Sequence, residues 1–565
     1  MAFHFTRRGL SQAEHRRQRL FECLPGGLSW ATILGLLLLS WWRPLTAAIV
    51  IIAFDLYWLL RLFYMTLFLM LSYFRLSLET KTDWMARLRE LAQPTQALEH
   101  LARTSHPQHP KAQLSQWLHR RALRSFIGAA ASAPRWQEVY HVILFPIFRE
   151  DPAIIEAGVQ SVLRQTFPAK QIVVVLAVEA RAEPQILAGA RELQARYRGQ
   201  LLELLVTVHP DGVPGEAQVK GANATWAAKA AEAALQRHGI PLEQALMSCF
   251  DADTVVSAHY CACLTYGFLT TRERTRASFQ PIPVYHNNIW EVPGFARVLD
   301  IGSSFFQLIE ATNPEQLVTF SSHSMSFKAL ADVGYWPVDM VSDDSAIFWK
   351  ALFHYEGRYR VIPLPITVSM DVVSAPTWWS TVRSVYKQKR RWAWGVENLP
   401  IVFRGFLHAK AMPRLQRLRY VVKLLEMNWA WATWPLLLTV IGWLPVLAAQ
   451  REFSSTVLYY SAPRIQATIF ELSSLSFAVT IWLSWMLLPK PRVKYSLLKR
   501  LGLALEWLCI PLITVCFIAV PALDAQTRLL AGRRMEFWVT GKRHPGGRLS
   551  LRAKSRMMGD DEIND

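Results

Sequence analysis

Ala245-Leu246-Met247-Ser248-Cys249-Phe250-Asp251-Ala252-Asp253 is a short apolar run that stops abruptly at two carboxylates. Four to eight apolar residues bounded by polar ones read as a buried strand. Two acids spaced by one residue just past such a strand can hold a hard divalent cation that shares oxygens with a diphosphate. The plainer role is a turn or cap before an expected helix over Val255–Leu269. The chain upstream brings the first role level with the second. Val139–Pro146, Gln171–Val178 (ending in Glu179) and Leu201–Val208 are three further apolar runs, and Pro214–Arg237 has helical character. Strands alternating with helices predict an α/β unit with a mostly parallel sheet covered on both faces. Ligands of such sheets sit outside the carboxyl ends of the strands, where Glu179, Asp251 and Asp253 fall.

Two more polar clusters follow. Ser342-Asp343-Asp344 opens a helix expected over Ser345–Phe353. It suits either an N-cap with acids at the positive helix end or a general base facing a hydroxyl. Gln388-Lys389-Arg390-Arg391-Trp392 places an amide, a guanidinium and an indole on about one helical turn, able to bind a diphosphate and stack on a sugar. The plainer role is a basic helix at a membrane surface.

Outside this middle the composition changes. The chain has 565 residues, 52% hydrophobic and 19% charged, with a net charge of +19. That excludes a disordered or fibrous protein. Leu24–Trp42 and Leu45–Phe74 are each long enough to cross a bilayer, with Arg43-Pro44 as the break. The basic segment 1–23 (Arg7, Arg8, Arg16, Arg17 and Arg19 against Glu14) predicts a cytosolic N-terminus, so two crossings over 24–74 return the chain to the cytosol. A polar helical region is expected over 75–134, the catalytic unit over 135–405, and an amphipathic interfacial helix over 406–428. Arg383–Lys423 carries eleven Lys/Arg and one acid, Glu397. Two more crossings are expected within 429–488 (Trp429–Ala449 and Ile465–Leu488).

Leu501–Leu523, within 499–531, is flanked on both sides by positive charge and interrupted by Pro511 and Pro521. It reads as interfacial or re-entrant rather than as a clean transmembrane span. A motif-bearing polar tail follows over 532–565. The six cysteines form no Cys-x-x-Cys pair and read as free thiols; His106 and His109 read as a surface loop. The basic residues flank apolar segments, which explains them by topology and leaves no nucleic-acid partner. A transporter would carry ionisable residues inside several membrane helices, and here Asp55, Arg61 and Glu506 are the main cases, two of them near segment ends.

The order Asp251-x-Asp253, Asp343-Asp344, Gln388-x-x-Arg391-Trp392 resembles membrane-embedded family 2 glycosyltransferases, the group containing cellulose, hyaluronan and related polysaccharide synthases. Phe537-Trp538-Val539-Thr540-Gly541-Lys542 is similar to the Phe-x-Val-Thr-x-Lys gating loop of cellulose synthases, which is cytosolic and covers the nucleotide. The resemblance implies an α/β GT-A domain on the cytosolic side, inserted between transmembrane helices of a multi-pass inner or plasma membrane protein. It implies Mg2+ or Mn2+, a nucleotide-sugar donor, a saccharide or lipid-linked acceptor, and membrane lipid as partners.

Carried over by position, Glu179 stands where the family uses Asp against the nucleoside base, and Lys220 and Asn223 open a helix beside the nucleotide. Asp251 meets the donor and, with Asp253, the metal. Asp344 is the base, with Asp343 in place of the family's Glu. Gln388, Arg391 and Trp392 hold the diphosphate and acceptor end, and Thr540 and Lys542 belong to the gating loop. Phe320-Ser321-Ser322-His323 lies at the acceptor-proximal segment but differs from it. The expected reaction is an inverting transfer to a growing polysaccharide, possibly coupled to its export. Single-sugar transfer to a lipid or lipid-linked acceptor is the alternative, and an inactive membrane scaffold is the alternative of another class.

Overall fold

A computed structural model describes residues 3–103, 109–128, 133–447, 457–489, 502–503 and 505–535. His106 and the Phe537–Lys542 motif, with Thr540 and Lys542, lie outside these residues. Helix α1 (Gln12–Trp42) starts a dozen residues before its apolar run, because Ser11 and Glu14 form a capping box that nucleates it early. Its arginines therefore ride on the helix. Arg43 breaks it, and Pro44 at the first position of α2 (Pro44–Glu79) restarts it. Three polar helices, α3 (Trp84–Ala92), α4 (Pro94–Arg103) and α5 (Pro110–Ile127), lead to the sheet.

The sheet has eight strands: β1 (Tyr140–Ile147), β2 (Ile172–Glu179), β3 (Glu203–His209), β4 (Ala245–Cys249), β5 (Val255–Val256), β6 (Ala277–Val284), β7 (His323–Ser326) and β8 (Arg360–Ser369), in the order β3-β2-β1-β4-β7-β6-β8-β5. Strands β1 to β4 are parallel, as the alternation with α6 (Pro152–Leu163), α7 (Pro184–Arg196) and α8 (Lys220–Arg237) predicts. Beyond them β6 and β8 also pair in parallel, and only β7 and β5 are reversed. Strand β7 is antiparallel to both β4 and β6, and β5 is antiparallel to β8. The sheet is mixed. Strands β6 and β8 carry Pro281, Pro283, Pro363 and Pro365 and absorb them at a register shift between Gln280 and Ile282.

Two local expectations also change. Residues 211–219 form a loop with Gly212 and Gly215 at positive φ, and α8 begins only at Lys220. Val255 opens the short strand β5, and the helix expected there is α9 (Tyr260–Thr270). Farther on are α10 (Gly294–Glu310), α11 (Phe327–Asp332), α12 (Asp343–His354), α13 (Trp378–Ala393), α14 (Asn398–His408) and α15 (Arg414–Thr439). Helix α15 runs the expected interfacial segment continuously into the start of the expected crossing.

Among the described residues four helices are long and apolar enough to cross a membrane: Gln12–Trp42, Pro44–Glu79, Ala467–Leu487 and Glu506–Leu530. They flank the sheet domain at both ends of the chain. Glu506–Leu530 is one rod of 3-10, α, π and α segments. It packs closely on α1, where a Cβ on Gly26 would meet Gln526 O at 2.8 Å. Ser29 Oγ donates to Gln526 Oε1 (2.7 Å) and Gln526 Nε2 to Asn428 O (2.8 Å), joining α1, the rod and α15. The rod also holds the end of the sheet domain: Arg390 Nη1 lies 2.9 Å from Asp524 Oδ2, and Arg297 on α10 meets both oxygens of Glu506 at 2.7 and 2.9 Å.

Candidate active site

Strand β4 is wholly buried, and its ladder ends when Phe250 N donates to Leu144 O. The chain then turns, with Thr254 N donating to Asp251 O (2.9 Å), so the Asp251 segment is a turn as well as an acidic site. Ser322 sits in the left-handed region at φ 59°. A conformation of this kind costs about 1–2 kcal/mol for a residue with a Cβ. It lets the Ser322 hydroxyl accept from Asp251 N (3.2 Å) and meet Thr254 Oγ1 (2.9 Å). Ser321 Oγ donates to Asp251 Oδ2 at 2.7 Å.

Lys220 is the first residue of α8. Its ammonium lies 2.8 Å from Asp251 Oδ1 and 3.2 Å from Asp344 Oδ1. Burial pulls the Lys220 pKa down, but Asp251 and Asp344 outweigh it and hold it well above the usual lysine range. One permanent cation thus joins the two acidic motifs. The approach is close at the next residue too: a Cβ on Gly221 would meet Pro337 O at 2.5 Å and Asp343 Cβ at 3.0 Å.

Asp343 and Asp344 begin α12 and divide in environment. Asp344 is partly open, its side chain 25% exposed, while Asp343 is buried with Oδ2 lacking a hydrogen-bond partner. Burial, reinforced by the neighbouring Asp344 charge, pushes Asp343 up to about 8. Ser342 holds the N-cap position but makes no side-chain cap bond; its hydroxyl donates to Glu397 instead (2.8 Å). His323 Nδ1 faces Phe320 O at 3.0 Å and lies 4.0 Å from Asp344 Oδ1; burial, opposed by the Asp344 charge, holds the ring below the usual histidine range.

Asp253 is 2% exposed. Its Oδ2 accepts Asp371 N at 2.7 Å, and Asn287 Nδ2 donates to its carbonyl at 2.9 Å. Asn223 is buried and donates to Ala177 O (2.7 Å), bracing α8 on β2. On α13, Gln388 is buried, its Oε1 lacking a partner. Trp392 meets Phe320 edge-on at 6.0 Å, which brings the Phe320–His323 segment against this helix. Lys389 lies over the Trp392 ring at 3.7 Å and pairs with Asp300 of α10 at 2.7 Å. Burial first, then the fields of Asp300, Asp251 and Asp253, raises the Tyr285 hydroxyl far above the usual tyrosine range, while Arg391 opposes them. Arg391 likewise opposes the upward shift at Asp343. The sequence-predicted residues 251, 253, 343, 344 and 391 therefore share one electrostatic neighbourhood.

Glu179 lies at the end of β2, beside a cleft of about 200 Å³ that it lines with Arg181, His209, Asp211 and Gln218. Arg181 pairs with Glu179, stacks over Phe148 at 4.4 Å and donates to Gln218 Oε1 at 2.8 Å. Sequence reading missed Ser321, Asp371 and Asn287 as supports of the acidic turn. Only Ser321 carried a signal, as part of the segment already set beside the acceptor.

Among the described residues no group of three or more His, Cys, Asp or Glu is arranged to hold a metal. Two carboxylates still fit Mg2+ or Mn2+, since such ions are commonly held by one or two protein carboxylates with substrate phosphates and water completing the shell. Asp251 and Asp253 are the carboxylates that would supply such an oxygen-only donor set.

A mixed sheet with an acidic turn after β4, a half-buried basic helix and flanking membrane-length helices are the arrangement expected of a GT-A glycosyltransferase domain inserted between membrane helices. The profile of glycosyl transferase family group 2 matches residues 248–518, and the chain carries a glycosyltransferase domain of that group. A poly-beta-1,6-N-acetyl-D-glucosamine synthase of Staphylococcus epidermidis is 40% identical over 68 residues, 12% of this chain and 14% of that protein. The synthase of Staphylococcus aureus (strain COL) is 37% identical over 67 residues, again 12% and 14%. The chain thus matches only about a seventh of the length of these curated relatives. Among solved structures, a mannosyltransferase from Pyrobaculum calidifontis in complex with GDP-Man and Mn2+ is 16% identical, covering 69% of this chain and 99% of its own at a TM-score of 0.33. Staphylococcus aureus TarS with UDP-GlcNAc is 12% identical, covering 60% and 92% at 0.33. At those scores neither likeness bears on the account.

Proposed function

We propose that this protein moves a sugar, with inversion, from a cytosolic nucleotide-sugar to a growing polysaccharide at the membrane. The observation that carries this reading is the Lys220 bridge between Asp251 and Asp344. It brings a donor-side acid and a candidate base to one ammonium. In the reaction the acceptor hydroxyl forms a bond to the anomeric carbon, and the bond from that carbon to the diphosphate breaks. Asp344, the open member of its pair, takes the hydroxyl proton. A positioned base of this kind contributes about 10²–10⁴-fold. Arg391 and Lys220 offset the charge that develops on the departing diphosphate. A divalent ion on Asp251 and Asp253 would supply further charge neutralisation there.

Gln388 and Trp392 offer the acceptor an amide and a ring face, and the Glu179 cleft suits the nucleoside. Asp343, buried and raised, serves better as a neutral support than as a second base. Thr540 and Lys542 complete the proposal as a cover over the nucleotide. The basic residues of the first helix favour a cytosolic N-terminus and, after two crossings, a cytosolic domain.

The staphylococcal relatives' named activity supports polymer synthesis over transfer of one sugar. The test incubates membranes bearing the full chain with labelled UDP-glucose, UDP-N-acetylglucosamine or GDP-mannose, plus Mg2+ or Mn2+. The reading expects released nucleoside diphosphate and a ladder of product lengths. A single chloroform-soluble glycolipid would replace the polymer with the lipid acceptor. No donor turnover with any of the three would point to a scaffold.

A further inference from the structure

Glu397 is the lone acid of a strongly basic stretch, and nothing in the proposed chemistry uses it. It lies five residues beyond Trp392, in the 3-10 turn Trp394–Glu397 that closes α13, and it is 3% exposed. A buried carboxylate is costly unless it is paired and hydrogen-bonded. Here both oxygens are engaged. Oε1 accepts from Val341 N (2.9 Å), Ser342 N (2.9 Å) and Ser342 Oγ (2.8 Å), the two residues that precede Asp343-Asp344. Oε2 accepts from Trp394 Nε1 (3.0 Å) and from Arg7 Nη1 (3.2 Å).

Arg7 belongs to the N-terminal arm before α1. The arm is built into the domain rather than lying free. Phe5 is buried, and Phe3 packs edge-on against Phe353 at 5.0 Å. Arg404 donates to Thr6 O, and Arg7 donates to Asp339 O. Arg8 meets Asp339 Oδ2 at 3.3 Å and donates to Gly215 O at 2.6 Å, in the loop that lines the Glu179 cleft. The arm therefore touches both segments that shape the candidate site, the 211–219 loop and the 337–342 loop.

We propose that Arg7 and Glu397 are positioning residues, and that the N-terminal arm acts through Glu397 to fix the angle at which Asp344 is presented to the acceptor. The reasoning is geometric. Ser342 forgoes the usual cap bond to its own helix so that its hydroxyl and amide can bind Glu397, which leaves the start of α12 anchored to the end of α13. That anchor sets the distance between the base and the Gln388–Trp392 turn. Displacement of a reacting group by about 1 Å can cost about 10²-fold in rate. Burial raises the Glu397 pKa, with Arg7 and the Ser342 donors opposing it, so loss of Arg7 weakens the charge that the two amides need.

This inference rests on the glycosyl-transfer reading for its kinetic arm, and a second measurement is independent of it. In purified full-length protein, Arg7→Gln is expected to lower kcat about tenfold or more while leaving the donor KM within about twofold. Arg7→Lys is expected to restore most of the rate. In a Glu397→Gln background, Arg7→Gln is expected to cost less than it does in the wild type, because the Arg7–Glu397 contact is already weakened there, and what remains reads the Arg7 contacts to Asp339. Independently of any donor, Arg7→Gln is expected to speed amide hydrogen exchange at Val341 and Ser342 without changing exchange in β1 and β2. Unchanged kcat with unchanged exchange at 341–342 would overturn the proposal. So would equal, additive losses from the two single substitutions, or a loss that only follows protein yield. Wild-type protein that turns over no donor, yet shows the local exchange effect, would sink the function while keeping the strap.

Discussion

Lys220 Nζ lies 3.2 Å from Asp344 Oδ1, although 124 residues separate them in the chain. The same ammonium is 2.8 Å from Asp251. Without it, two carboxylates would face each other across a partly desolvated gap, and like charges so placed raise one another's pKa. Lys220→Met is therefore expected to lower kcat/KM for donor about 10²-fold or more, with Lys220→Arg less damaging. Initial rates of nucleoside diphosphate release check this. Rates within twofold of wild type for Lys220→Met would detach the ammonium from the chemistry.

Asp253 has one oxygen committed to Asp371 N. Asp253→Asn keeps an acceptor for that amide and removes the charge. The variant is expected to bind nucleoside diphosphate equally with and without a chelator, whereas wild type should bind about tenfold or more tightly when Mg2+ or Mn2+ is present. Titration calorimetry with UDP and GDP reads the difference. A metal-dependent gain that survives in Asp253→Asn would move the ion elsewhere.

Asp343 is raised to about 8 by burial and by Asp344. The folded state therefore binds this proton more tightly than the unfolded chain, whose carboxyl titrates near about 4. The stability it contributes is full below about pH 4 and is lost as pH rises through about 8. Asp343→Asn mimics the protonated form. Its melting temperature, relative to wild type, is expected to climb between pH 5 and pH 9 in detergent. A difference that stays flat over that range would mean that Asp343 is ionised throughout.

The sequence made part of this architecture readable. Strands β1 to β4 are apolar runs with polar stops, and their register places Glu179 and Asp251 at the same edge without any knowledge of side-chain contacts. The later strands were not readable, since Pro281, Pro283, Pro363 and Pro365 mask β6 and β8, and their burial comes from the mixed pairing around β7. Helix α1 reaches upstream of its apolar run because hydropathy marks where a helix turns apolar, while Ser11 and Glu14 mark where it begins. At the site, the acidic pairs were visible as local patterns. The anchoring of Ser342 by Glu397 was not, because Glu397 stands among eleven basic residues and its partners are backbone amides far upstream.

The claim that most depends on this geometry is that Asp344 removes the acceptor proton at a site where it is not needed to hold nucleotide. Asp344→Asn separates the two roles, because the amide keeps the size and one acceptor while losing the basicity. Rate of donor turnover and affinity for the nucleoside diphosphate should be measured on the same purified preparation, with Mg2+ or Mn2+ present. The expected result is a fall in turnover of about 10²–10⁴-fold with affinity within about threefold of wild type. Turnover near the wild-type rate, or a parallel collapse of nucleotide binding, would contradict it.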